Sequence, residues 1–160
     1  HEQICYFCAK IKLNMSDILI RLHSLIPYLF LVLMLLLLVM TIAGLSSGKF
    51  TLKQMALARV TLILAHIQLL FGLGVLFLGD AASAAMSQGM GQIMKTAELR
   101  LRFVEHPMMM IIAIALITIG FSRVKRASTN SAKNRNILIF FGIGLLLILS
   151  RIPYAAWFNL

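Results

Sequence analysis

Four long stretches of this chain carry almost no charge, and they decide what it can fold into. The first, Leu25–Leu45, contains LFLVLMLLLLVM. The second, Val60–Leu78, is broken only by Thr61, His66 and Gln68. Pro107–Phe121 and Ile137–Leu149 are the third and fourth. A helix needs about 20 predominantly apolar residues to cross a bilayer. The first two stretches meet that length alone. The third meets it if its helix begins near Leu99, and the fourth if it continues past Arg151. The pattern predicts an all-α integral membrane protein, an up-down-up-down four-helix bundle, with helices at about 18–45, 55–79, 99–122 and 136–158.

Composition agrees with that reading. The chain is 61% hydrophobic and 12% charged, about half the usual charged share. Its net charge of +10 raises the question of nucleic acid. The basic residues, however, sit where loops meet the ends of the apolar stretches, the pattern of topology determinants and lipid headgroup contacts. The lipid bilayer, and no nucleic acid, is the expected partner.

Lysine and arginine also orient the bundle. Lys49, Lys53, Arg59, Arg123, Lys125, Arg126, Lys133 and Arg135 belong to one side. Lys10, Lys12, Arg21, Lys95, Arg100, Arg102 and Arg151 belong to the other, which also holds every Asp and Glu. The richer side is expected to be cytoplasmic. Both termini are then expected on the extracytoplasmic side of the membrane. Residues 1–14, which precede Met15-Ser16-Asp17, are expected to form a flexible or non-native extension to the domain at 15–160. Within them Cys5 and Cys8 make a C-x-x-C with Ala9 next, not the His of c-type haem attachment, and no second Cys pair completes a zinc site. The first stretch lacks a clean A-x-A site after its core and is read as a retained helix.

Three histidines, His23, His66 and His106, lie in or beside the apolar stretches. A polar ring at membrane depth requires a partner. His23 and His106 fall near the outer ends of their helices, while His66 lies about 18 Å below the outer end of the second. Two ligands of one metal need similar depth, so spacing favours His23 with His106 across the diagonal of the bundle. Arg21, Arg102 and Arg151 would gather at the same rim, where they could meet carboxylates of a cofactor. Glu105 could orient a ring or pair with one of these arginines. His66 is expected to bond a carbonyl or a hydroxyl of a neighbouring helix. A second ligand role or a proton relay is its alternative. Buried hydrogen bonding or headgroup contact remains the alternative for all three. His106-Pro107-Met108-Met109-Met110 pairs imidazole with thioethers, which suits Cu(I). Consecutive helical residues diverge, though, and at most two of these Met could share an ion.

The second helix carries a stripe of small or weakly polar residues at Thr61, Ala65, Gln68, Gly72 and Gly79, suited to close helix contact. His66 lies about 160° from Gln68 on the helical wheel. One of the two therefore faces the bundle and the other a flank.

The segments LIRLHS (19–24), LAHIQLLFGL (64–73), RFVEHP (102–107), IAIALITIG (112–120) and SRVKRA (122–127) resemble a group of small four-helix membrane proteins of Bacteroidota labelled cytochrome b-like. The resemblance covers most of 15–160. Where the group reads His-Ser-Gly-Leu-Arg-Trp, this chain has His23-Ser24-Leu25-Ile26-Pro27-Tyr28. The group's histidines map onto His23, His66 and His106. The resemblance implies b-type haem and a membrane electron-transfer subunit, with a quinol and other subunits of a membrane complex as partners. The alternative from another class is a structural or accessory subunit without its own cofactor.

Overall fold

The computed structural model describes residues 2–155, with 2–14 as backbone alone. The side chains of Cys5 and Cys8, and the last residues of the fourth expected helix, lie outside the described residues. Helices account for nearly all of the rest: α1 (Glu2–Ser47), α2 (Leu52–Leu78), α3 (Asp80–Ser87), α4 (Met90–Lys95), α5 (Ala97–Arg100), α6 (His106–Arg126) and α7 (Asn130–Ser150). A π-helical turn, Leu101–Glu105, joins α5 to α6. No strand occurs among the described residues.

Among the described residues, four segments are long and apolar enough to cross a membrane: Met15–Ser47, Leu52–Leu78, Ala97–Arg126 and Asn130–Ser150. α1 packs on α2 and α7, α2 on α6, and α6 on α7, which leaves α1 opposite α6. Their shared core includes Phe30, Met34, Leu37, Ala65, Ile117 and Phe141. The outward faces are equally apolar, with Val39, Leu70 and Leu146 about two-thirds exposed (66%, 69% and 67%). An exposed apolar surface of this kind suits contact with a lipid bilayer.

Local chemistry explains where the helices begin and end. Thr51 caps α2 in a reciprocal box with Gln54, and Thr129 caps α7 through the Ala132 amide. α7 ends at Ser150 rather than near 158, because Pro153 has no N–H and its ring would meet the Leu149 carbonyl if the helix continued. The Tyr154 hydroxyl donates to that carbonyl instead, at 2.7 Å. In the third span, Pro107 likewise removes the donor for the Phe103 carbonyl. The backbone there widens into the π turn, and the His106 N–H reaches back to the Leu101 carbonyl. Gly79, assigned by spacing to the small-residue stripe, instead ends α2 in an extended conformation.

At one end of the four spans a buried polar knot ties three segments together. Gln54 Nε2 donates to the Met40 carbonyl and to Asn134 Oδ1, each at 3.1 Å. Asn134 Nδ2 donates to the Lys49 carbonyl at 2.8 Å, and Asn130 Nδ2 to that of Gly48 at 3.3 Å. Both Gln54 and Asn134 are buried. Lys133, Arg123 and Lys125 lie over the rings of Phe50, Phe140 and Phe121 near this end, so the basic residues of 49–53 and 123–135 share it.

Candidate functional site

Away from that knot, His23 of α1 and His106 of α6 meet across the diagonal. Their ring centres are 6.2 Å apart and their planes 80° to one another. Both rings line a cavity of about 580 Å³ between the helices, within the usual range for small-molecule and cofactor sites. Its walls are mostly apolar, among them Phe30, Leu69, Phe103 and Met110, with Ser24, Gln68, Glu98 and Arg102 as further polar members.

His23 is seated on α2. Gln68 Nε2 donates to the His23 carbonyl at 2.7 Å and contacts His23 Nδ1 at 2.9 Å. Gly72, one turn on, gives the ring its space: a Cβ there would stand 2.8 Å from His23 Cε1. The carbonyl needs Gln68 for a covalent reason. Pro27 lies four residues beyond His23 inside α1, and a proline supplies no N–H to the carbonyl at i−4. Since a carbonyl only accepts, the Gln68 atom facing it is the amide nitrogen, and that nitrogen can only donate to Nδ1 as well. The His23 proton is thereby placed on Nε2.

His106 has the opposite arrangement. Its Nδ1 donates to the Arg151 carbonyl at 2.9 Å, which leaves Nε2 with a bare lone pair. That carbonyl is open because α7 has ended at Ser150.

The rim residues separate. Glu105 accepts from Arg100 at 2.9 Å and pairs with Arg151 at 3.4 Å, and Glu98 pairs with Arg102 at 3.2 Å. Arg102 lines the cavity, whereas Arg21 and Arg151 do not. Arg21 is exposed. Of Met108, Met109 and Met110, only Met110 reaches the cavity wall. Two buried polar atoms of cavity-lining residues lack a hydrogen-bond partner, Gln68 Oε1 and Arg102 Nε. Such atoms are costly to bury unpaired.

His66 stands apart, but not for the reason of depth. His23 packs against Gln68 and Gly72, six to ten residues inside the end of α2 at Leu78, or about 9–15 Å at 1.5 Å per residue. The site is therefore deeper than the rim, and His66 is within a turn of Gln68. What separates His66 is its face. It is exposed on the flank between α2 and α6, with Nδ1 donating to the Leu62 carbonyl at 2.9 Å and Nε2 3.5 Å from Thr118 Oγ1. Thr118 already donates to Ile114.

Two imidazole nitrogens facing one metal from opposite sides at about 2.0–2.1 Å each would put their ring centres roughly 6.3 Å apart, close to the 6.2 Å observed. No group of three or more His, Cys, Asp or Glu that could hold a metal occurs among the described residues. Gln68 was legible in the sequence only as a stripe residue. The signal that could have raised it is the H-x-x-x-P spacing of His23 and Pro27, which exposes a carbonyl inside an apolar helix. Comparison with models of known families, with curated proteins and with solved structures found nothing that matches this chain.

Proposed function

We propose that this protein is a b-type haem-binding membrane subunit that carries electrons, a cytochrome b-like four-helix bundle. The observation that carries the reading is the 6.2 Å approach of the His23 and His106 rings at an apolar cavity of cofactor size. His23 and His106 would hold the iron of a porphyrin, which would bring its other ligands with it, so no third protein ligand would be required. His106 offers a bare Nε2 as it stands. His23 offers one once its proton sits on Nδ1, which requires the Gln68 amide nitrogen to move off that atom. Arg102 Nε, unpartnered, faces the need of a propionate for a charged donor. Haem in such a site would supply one-electron chemistry at a potential set by its ligands and burial. The chain's own part is to hold the two rings, exclude water and charge, and fix the ring protons.

The helices would run up-down-up-down through a bacterial inner membrane, with the basic end cytoplasmic and the haem nearer the outer side. A quinol and other subunits of a membrane complex are the partners this role implies. The second reading, an accessory subunit without a cofactor, is favoured by one observation. Gln68 satisfies both acceptors of His23, as a purely structural buried histidine would require.

The visible spectrum of protein purified after expression with ample haem separates the two. Sharp reduced α and Soret bands, lost in His23→Ala and His106→Ala and kept in His66→Ala, are expected. A colourless protein would leave the accessory reading.

A further inference from the structure

We propose that Gln68, acting together with Pro27, is the positioning residue that decides which nitrogen of the His23 ring carries the proton, and so whether His23 can serve as a ligand beside His106. The ligand half of this proposal rests on the haem reading; the proton half does not.

The His23 carbonyl lacks its ordinary helical donor. In a regular α-helix the His23 carbonyl would accept from the amide of residue 27. Pro27 has none. A carbonyl left open among apolar helices is expensive, and the Gln68 amide nitrogen meets it at 2.7 Å. That bond fixes which end of the Gln68 side chain faces α1. With the nitrogen held there, its second hydrogen points to Nδ1, 2.9 Å away. Nδ1 must accept and Nε2 must carry the proton. Gly72 lets the Cε1 edge of the ring approach α2, where a Cβ would stand 2.8 Å from it. The backbone defect in α1 thus sets the donor and acceptor pattern of a ring on the same helix through a side chain of another.

The same logic gives the opposite result at His106. Its Nδ1 faces a carbonyl and must donate. The two facing rings therefore carry their protons on different nitrogens, and only His106 has a bare Nε2. Replacing the Gln68 amide nitrogen with an acceptor converts His23 to the His106 pattern, and releasing it leaves His23 free to take either form. Groups that orient a metal-binding histidine are typically worth about 10–100-fold in affinity. Gln68 is accordingly a restraint on the second ligand.

The test uses the full chain in lipid nanodiscs with ¹⁵N-labelled histidine, free of haem and at alkaline pH, where long-range ¹H–¹⁵N correlations report the proton position on each ring. In the wild type the expected result is Nε2–H at His23 and Nδ1–H at His106. Gln68→Glu places an acceptor opposite Nδ1 and should move the His23 proton to Nδ1. Pro27→Ala returns a helical donor to the His23 carbonyl, freeing the amide, and should give His23 a mixture of both forms. His106 should be unchanged in both. Haemin titration should then show Gln68→Glu binding about tenfold more tightly than wild type.

Nδ1–H at His23 in the wild type would overturn the proposal and needs no variant to fold. So would a His23 proton that stays on Nε2 in Gln68→Glu. If haemin binds Gln68→Glu no more tightly than wild type while the proton moves as expected, the claim that Gln68 restrains the ligand is overturned. Haemin that binds no form of the protein would instead remove the haem reading, leaving the ring-proton assignment to stand or fall on the spectrum.

Discussion

At the scale of single residues, the site depends on groups that are absent as much as on groups that are present. Gly72 matters because a methyl there would fall 2.8 Å from His23 Cε1. Gly72→Ala should displace the ring at a cost of about 1–3 kcal/mol, the usual range for overpacking. A haemin titration would register it as weaker binding, while Gly142→Ala, whose added Cβ meets nothing within 4 Å, should leave affinity unchanged. Arg102 supplies a different test. If its unpartnered Nε meets a propionate, Arg102→Gln should lose about 1.5–3 kcal/mol of haemin affinity, as for a hydrogen bond to a charged group. Binding of haemin dimethyl ester, which has no carboxylate, should barely change. Equal losses for both ligands would rule that pairing out. The sequence makes His23 and His106 visible because imidazoles stand out in apolar stretches. It hides Gln68, since a glutamine on a stripe of small residues looks the same whether it packs or positions.

At the scale of elements, two of the three prolines are answered by a specific partner. Pro27 opens the His23 carbonyl, which Gln68 takes. Pro153 opens that of Leu149, which Tyr154 takes. Pro107 coincides with a π turn immediately before His106. Apolar length locates the spans but does not set their ends, because those depend on such local bonds. The fourth span illustrates this: its apolar character continues past Arg151, yet Pro153 stops α7 at Ser150. The knot of Gln54 and Asn134 was hidden in another way. Each residue reads from sequence as ordinary capping chemistry near a loop, and only the packing of α1, α2 and α7 buries both. Asn134→Ala would leave the Lys49 carbonyl without its donor and one Gln54 amide hydrogen without its acceptor. Each unsatisfied group costs about 1–3 kcal/mol, so thermal unfolding in mild detergent should show a clear loss of stability. The spectrum of any bound haem should keep its shape, because the knot lies toward the other end of the spans.

At the scale of the whole molecule, the two ends have different chemistry. One end carries the basic residues of 49–53 and 123–135 with the buried amide knot; toward the other lie the imidazole pair, the cavity and the Glu–Arg pairs. The asymmetry predicts a topology. Single cysteines introduced at Ser47 and Asn130 should react alike with a membrane-impermeant maleimide, and one at Gln88 should behave oppositely in intact cells. Identical labelling at all three sites would contradict four crossings. Four spans were legible from apolar length alone, since a stretch near 20 residues has few alternatives. The depth of the site was not. It depends on how far α1 extends beyond the level of α2, and no feature of either stretch by itself fixes that offset.

The claim that joins these scales is that His23 and His106 share one iron. Low-temperature electron paramagnetic resonance of the ferric protein tests it most directly, because the spin state reports the axial ligands. The account predicts a low-spin signal in the wild type and in His66→Ala. A high-spin signal should appear when either His23 or His106 is replaced by alanine. A low-spin signal that survives in His23→Ala or His106→Ala, or a wild-type protein that takes up no haem, would contradict it.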